Sequence, residues 1–360
     1  MAKSSIRAVG FVLLLAGATV ADAQAPAVYT ADRIQSELDE YGYCQLPPGK
    51  HRLDRPIELR ARQRLCGSGP ASILEYVGPG DWAVLFGDRG APNYACYLDS
   101  LTLSGGGLWC RRFAQHCGVD QVWVSGAPSD GVRIDGIGDK FLLRDVVSYG
   151  NTGHGFALRA AASNNGLTLD HCNAQANGGH GVLMETLSWG GTLYQTVLRD
   201  CTVQGNGAAG RVDCDVLVRG YVGALRVEST WIESTFCAVG LRTVGRLERH
   251  PSTGKESLRF PRILITGNSV VSLADRALEF VDCWQCEIEQ LDARPAAARV
   301  YWRSRPDGTN ATGSTRPTGL MRLLDPARIV ADSTLEMLGG AKNTGSENTA
   351  APILRGPSGS

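Results

Sequence analysis

The chain offers no net charge to a polyanion: its 36 basic and 36 acidic residues cancel over 360 positions. Without a long-range field there is nothing to gather nucleic acid or an anionic membrane surface. Aromatic residues are scarce, at 7%, and helix-favouring apolar runs are scarcer. Beyond the first two dozen residues no stretch is apolar enough to cross a bilayer, so no membrane span is expected. Chemical motifs are missing as well. The "SGGGL" run at 104–108 lacks the Gly-Lys-Ser/Thr that cradles phosphate, and the sequence contains no His-x-x-x-His pair or acidic calcium loop. No motif calls for a metal or cofactor.

What the chain has is glycine, 44 residues of it, in a composition that suits a turn-rich β protein. It opens with Lys3 and Arg7 ahead of the apolar run "GFVLLLAGATV", and Ala21–Ala23 then supply small residues before Gln24. This is the pattern of a secretory signal peptide over 1–23, and it places the mature protein in the periplasm or outside the cell. Disulfides are permissible there.

The middle of the chain repeats itself. "NTGHGFALRA" at Asn151–Ala160 returns as "NGGHGVLMET" at Asn177–Thr186, an offset of 26 residues. Aligning on the histidines brings "GVRID" (131–135), "GFALR" (155–159), "GVLME" (181–185), "DVLVR" (215–219) and "AVGLR" (238–242) into register, each followed by a second strand pattern. The short strands alternate apolar with polar, as strands with one buried face do. Their spacing is too short for a domain and right for one solenoid turn. Val132/Ile134, Phe156/Leu158, Val182/Met184 and Val216/Val218 are therefore expected to stack inward. Asn151, Asn177 and Asn206 fall in register at the following bend, where asparagine tolerates left-handed geometry and can bond its equivalents along the stack.

The chain reads as all-β: a single-stranded right-handed parallel β-helix over 44–304, its hand set by the crossover rule. With strands about 4.8 Å apart, the stack would be on the order of 50 Å long. An N-terminal segment, 24–43, carries Ile34, Leu38 and Tyr41 on one face of a short amphipathic helix that caps the first coil. The segment 305–360, rich in Gly, Ser, Thr, Asn and Pro, reads as a mostly flexible tail.

The same register sorts the eleven cysteines. Cys44 with Cys66, Cys96 with Cys117, and Cys214 with Cys237 stand one coil apart and are disulfide candidates, as is the local pair Cys283 and Cys286. Cys172 and Cys201 read instead as small apolar fillers.

The stretch from "ADRIQSELDEYG" through "LPPG" (Leu46–Gly49) to "GSG" (Gly67–Gly69) resembles the N-terminal region of the pectate-lyase-like β-helix superfamily. The resemblance implies the same fold and a polysaccharide as partner, to be cleaved, epimerised or bound. It does not name a reaction. The Gly-His-Gly of polygalacturonase-type hydrolases occurs at 153–155 and 179–181, but their Asn-Thr-Asp, Asp-Asp and Arg-Ile-Lys triplets are missing, as is the Asp-Pro-His-Asp of alginate epimerases.

Candidate chemistry lies on the outward face. One column reads Asp135, Arg159, Glu185, Arg219, and His154 and His180 stand just before two of its strands, so the histidines should be stacked neighbours. A second column, Arg144, Asp170, Arg199, Glu228, alternates in the same way. Alternating charge along a parallel sheet relieves repulsion without any catalytic role, and a histidine can simply cap a glycine corner. The functional alternative gives a histidine the role of general base or acid, and Arg159 and Arg219 that of neutralising a uronate carboxylate. Asp135 and Glu185, two coils apart at about 9 to 10 Å, fit the carboxylate spacing of inverting hydrolases. Trp231, with the column Tyr149, Gln175, Gln204, Glu233, offers a ring face and amides for sugar. Calcium bridging to a uronate would use Asp130, Asp135 and Asp213. The expectation is an exported enzyme degrading an acidic glycan, a lyase ahead of a hydrolase. The other reading is a glycan-binding or structural β-helix without turnover, in either case compatible with a homotrimer.

Overall fold

The computed structural model describes residues 28–87, 93–111, 114–135, 139–259, 261–267 and 269–281, and beyond them the strands Gln285–Ile288, Leu291–Arg294, Val300–Arg303, Leu320–Leu323 and Leu335–Leu338. The signal segment expected over 1–23 lies outside the described residues. No described helix is long and apolar enough to cross a membrane.

One helix, Ala31–Tyr41, opens the fold. The Thr30 hydroxyl accepts from the Arg33 amide at its start, and Gly42, at φ 70°, closes it in left-handed geometry with its amide on the Leu38 carbonyl. Ile34 and Leu38 are fully buried against the first coil. Tyr41 is not part of that face, being 69% exposed. Its place in the seal is taken by Gln35, whose amide donates to the Glu58 carbonyl and whose oxygen accepts from the Glu58 amide, at 3.1 and 2.9 Å. A polar residue thus docks the cap on an open strand edge.

The strands stack as parallel ladders, apart from one antiparallel hairpin, Arg246–Arg249 with Glu256–Arg259. An eleven-stranded sheet runs along one side and contains Val132–Ile134, Phe156–Ala160, Val182–Thr186, Cys214–Arg219 and Val239–Val244. A 22-stranded sheet folds around the rest of the coil. The expected inward residues pair from strand to strand, Phe156 with Val182 and Val182 with Val216, Leu158 with Met184 and Met184 with Val218, and all are buried. Leu320–Leu323 and Leu335–Leu338 continue both ladders within the segment whose composition suggests a tail.

A ladder of buried amides fixes one corner. The Asn151 side-chain NH2 donates to the Asn177 side-chain oxygen, and Asn177 donates likewise to Asn206, each at 2.9 Å. Each acceptor oxygen also takes the backbone amide of the asparagine before it, at 3.1 Å. The asparagines do not adopt the left-handed geometry expected of them. Gly150, Ala176 and Gly205, one residue earlier, take it instead, with φ of 62°, 55° and 59°. The side chains are thereby left free to point along the stack. The ladder ends on the carboxylate of Asp215, which accepts both Asn206 donors through one oxygen while the other has no hydrogen bond.

The cysteine pairings require correction: all nine cysteines among the described residues are free thiols. Cys44 stands opposite Leu65, not Cys66, so successive side chains turn them to different faces; Cys66 instead donates to Asp99 at 3.1 Å. Cys214 pairs with Val239, two residues past Cys237, whose thiol meets the Asn206 carbonyl. Cys96 and Cys117 are stacked as expected but unbridged, the Cys96 amide donating to the Cys117 sulfur at 3.4 Å. Cys172 and Cys201 are buried fillers. Burial pushes the Cys66 thiol up to about 11 and that of Cys237 to about 12, which makes them inert. Cys283 lies outside the described residues, as does the side chain of Cys286.

Burial also raises the Asp215 carboxyl to about 6 from an ordinary 3.8. Since the folded protein holds this proton more tightly than the unfolded chain, the contribution of Asp215 to stability is fully present below about pH 4 and is lost as pH rises through about 6. Asp215→Asn keeps the acceptor and removes the charge. Denaturation at pH 8 should show the variant more stable by about 2–3 kcal/mol, with no gain at pH 4; equal stability of the two proteins at both pH values would contradict this reading.

Candidate functional site

Register brings the first outward column together as expected. Arg159 pairs with Glu185 and Glu185 with Arg219, while Asp135 follows directly on the strand paired with Phe156–Leu158. The Arg159 guanidinium lies 3.0 Å from Glu185 and 3.9 Å from Asp130, at 19% side-chain exposure. Arg199, in the second column, clasps Asp170 with two 2.9 Å bonds yet is 47% exposed. The first column is thus recessed and the second is a solvated strip. Arg219 is exposed and has no ion-pair partner among the described residues.

Asp130, His154, His180 and Cys214 form a polar chain from coil to coil. Asp130 accepts the His154 amide at 2.9 Å, and His154 Nδ1 accepts the His180 amide at 2.9 Å. The two imidazoles lie parallel, with ring centres 5.1 Å apart and planes 8° from each other. His180 Nδ1 lies 2.6 Å from the Cys214 carbonyl. These partners assign opposite tautomers. His154 receives a proton at Nδ1 and so carries its own on Nε2. His180 faces a carbonyl and so carries its proton on Nδ1, leaving a lone pair on Nε2. Among the described residues neither Nε2 has a hydrogen-bond partner, and neither is sealed from solvent.

Burial lowers both histidines. His154 falls to about 4, with the His180 and Arg159 charges adding to the effect and Asp130 opposing it. His180 is lowered by burial against the pull of the Cys214 carbonyl and Asp213. Both rings are therefore neutral at neutral pH, one a donor at Nε2 and the other an acceptor.

Alternation hid one feature of this face. Ala157, Leu183 and Leu217, between the histidines and the charged column, point outward and are nevertheless 0%, 4% and 7% exposed. Leu183 and Leu217 form a second apolar cluster with Cys214 and Val239, apart from the main core. The signal is the apolar second letter of "FALRA" and "VLMET" and the third of "DVLVR". The antiparallel hairpin walls the C-terminal side: its buried Glu248 accepts from the Thr186 hydroxyl, and Arg259 lies over the Tyr221 and Trp189 rings at 4.2 and 4.9 Å. Nothing in the repeat announces this insertion.

Other expected site residues are engaged by different partners or lie elsewhere. Asp135 is held by the Trp109 indole and the Arg133 guanidinium, each at 2.9 Å. Tyr149, Gln175, Gln204 and Glu233 do form one column, with Gln204 donating to Glu233 at 3.0 Å. It sits with Trp231 on the 22-stranded sheet, across the asparagine corner from the histidines. The acids named for calcium do not converge: Asp213 is clasped by Arg242, Asp135 by Arg133, and Asp130 holds the His154 amide. This donor set does not suit the ion.

No protein-family model matches the chain, and no curated protein matches it significantly. Solved structures do. Tailspike protein 2 of an Escherichia coli O157:H7 bacteriophage is 10% identical with a TM-score of 0.54, covering 78% of this chain and 42% of its own. The enzymatically active domain of bacteriophage CBA120 tailspike protein 2 is 11% identical with a TM-score of 0.53, covering 84% and 46%. The A-module of a mannuronan C-5 epimerase from Azotobacter vinelandii is 15% identical with a TM-score of 0.48, covering 86% and 97%. The chain spans less than half the length of the two tailspike chains. The fold is the right-handed parallel β-helix that the sequence implied.

The tautomer assignment is open to direct measurement. In protein labelled with 15N-histidine at pH 7, His154 should show its proton on Nε2 and His180 on Nδ1, with His154 neutral down to about pH 4. The same tautomer in both rings would overturn the assignment.

Proposed function

We propose that this chain is an exported enzyme that cleaves an acidic, uronate-containing polysaccharide by β-elimination. The observation that carries the proposal is the pair of stacked, oppositely protonated imidazoles beside a recessed column of acid and base. In elimination, a base removes the proton α to the uronate carboxylate while that carboxylate is neutralised. His180 Nε2 is the base: neutral, with a free lone pair. Arg219, the unpaired cation of the column, neutralises the carboxylate. Arg159, committed to Glu185 and Asp130, holds the column in shape. His154 keeps its own proton and donates a hydrogen bond from Nε2 to the leaving glycosidic oxygen as negative charge develops there. The C–H and C–O bonds break, a C=C bond forms, and the His180 imidazolium returns its proton to the departing oxygen. The tailspike likeness includes a domain described as enzymatically active, which suits this reading.

A second reading has its own observation. His154 Nδ1 and Asp130 both bind backbone amides of the next coil, the behaviour of corner caps in a β-helix that binds glycan without turnover.

Incubation with a panel of uronic-acid glycans separates the readings. Ultraviolet absorbance of an unsaturated product together with new reducing ends marks a lyase. New ends alone mark a hydrolase using Asp135 and Glu185, and binding without either marks a binding module. For the lyase, His180→Ala should cut kcat by about 10²- to 10⁴-fold with the fold intact. His154→Ala should also lower turnover. Because His180 must be neutral and its pKa is lowered, the acid limb of the rate profile should lie below the ordinary imidazole value of about 6.5. Full activity in both variants removes the histidines from the mechanism.

A further inference from the structure

The 22-stranded sheet carries a cavity of about 400 Å³ that the elimination chemistry does not use. That volume is within the range of small-molecule sites. Its floor is a missing side chain. In the outward row Arg64, Tyr97, Gly118, Leu142, strands pair one above the next, and only position 118 carries no side chain. Two carbons of the Tyr97 ring, Cδ1 and Cε1, lie 3.4 and 3.6 Å from where a Cβ at 118 would stand. The ring therefore leans over bare backbone, with Leu142 beyond. Both are large apolar groups left in the open, 40% and 39% exposed.

The polar rim is asymmetric. Two residues along the strands, Asp99, Asp120 and Arg144 form the next row. There Asp99 is paired with Arg64 at 2.8 Å, and Asp120 takes Arg144 through both oxygens. On the other side Lys140 and His116 occupy successive corners with φ of 52° and 51°. Lys140 is exposed and has no ion-pair partner among the described residues. Counting Arg64, Lys140 and Arg144 against Asp99 and Asp120, and leaving His116 aside, one positive charge is uncompensated.

We infer that this pocket binds a carboxylate-bearing pyranose, a uronate residue, at a site separate from the histidine face. A tyrosine ring and a leucine side chain over a backbone floor take the C–H faces of a sugar ring. The paired carboxylates and guanidinium groups at the edge accept from and donate to hydroxyls. The free ammonium of Lys140 takes the single carboxylate. A polyanion such as nucleic acid fits poorly, since two carboxylates rim the pocket and the chain as a whole has no net charge. The inference rests on the proposed function only for the choice of a uronate glycan, which would be held at a second point while another segment reaches the histidines.

The test reads binding rather than turnover. Full-length His180→Ala protein is titrated calorimetrically with a uronate oligosaccharide, and separately with a neutral oligosaccharide of equal length. Lys140→Glu and Tyr97→Ala are then introduced in turn, with circular dichroism and Tm as checks of the fold. The expected result is that each weakens one class of uronate site by about tenfold or more, an effect of roughly 1.4 kcal/mol. In the otherwise unsubstituted enzyme, kcat at saturating substrate should be unchanged. Unaltered stoichiometry and affinity in both variants overturns the inference, as does equal affinity for the neutral oligosaccharide. If no glycan is turned over yet Lys140-dependent uronate binding persists, the elimination reading falls and the pocket stands.

Discussion

The functional surface of this chain depends on the lock between one coil and the next. Parallel strand ladders alone would tolerate slippage, and a slip of one residue would turn each outward group inward. The buried amides of Asn151, Asn177 and Asn206 remove that freedom. Each side chain binds both the backbone and the side chain of its neighbour, so displacement by one position would strand several donors without water. Leaving such a group buried and unpaired costs about 1–3 kcal/mol, which is large against the stability of a domain. Register is thereby fixed at the corner, eight residues before Arg159 and Glu185 of the outward column.

From that lock the histidine face follows. The chain Asp130–His154–His180–Cys214 is another coil-to-coil ladder, but one built from titratable groups. The same hydrogen bonds that cap the corner assign each ring its tautomer, so structure and chemistry are served by one arrangement. Burial on a partly apolar floor keeps both rings neutral. Arg159 is committed to Glu185 and Asp130, which leaves Arg219 as the cation of this column available to a ligand.

Much of this was legible in the letters. The repeat spacing placed the inward stack, the amide ladder and the three outward columns, because a parallel solenoid converts sequence period directly into contact. What escaped has identifiable causes. Cys44 faces Leu65 rather than Cys66 because a match of spacing does not settle a match of parity. Ala157, Leu183 and Leu217 were hidden because a strand buried on both faces loses its alternation. Tyr41 fell off the helix face because a buried glutamine, read as polar, served the first coil better. The pocket beside Tyr97 is made by the absence of a side chain at Gly118, and an absence has meaning only once its neighbours are known. The hairpin 246–259 interrupts the repeat and so carries no periodic signal.

The central claim is that residues one coil apart touch, and above all that His154 and His180 lie face to face. Nuclear Overhauser contacts between the carbon-bound ring protons of these two histidines, assigned by single substitutions in histidine-labelled protein, test it most directly. With ring centres 5.1 Å apart, a cross-peak between the two rings is expected. If no such cross-peak is found while each ring shows contacts to different parts of the molecule, the register is wrong and the histidine face does not exist.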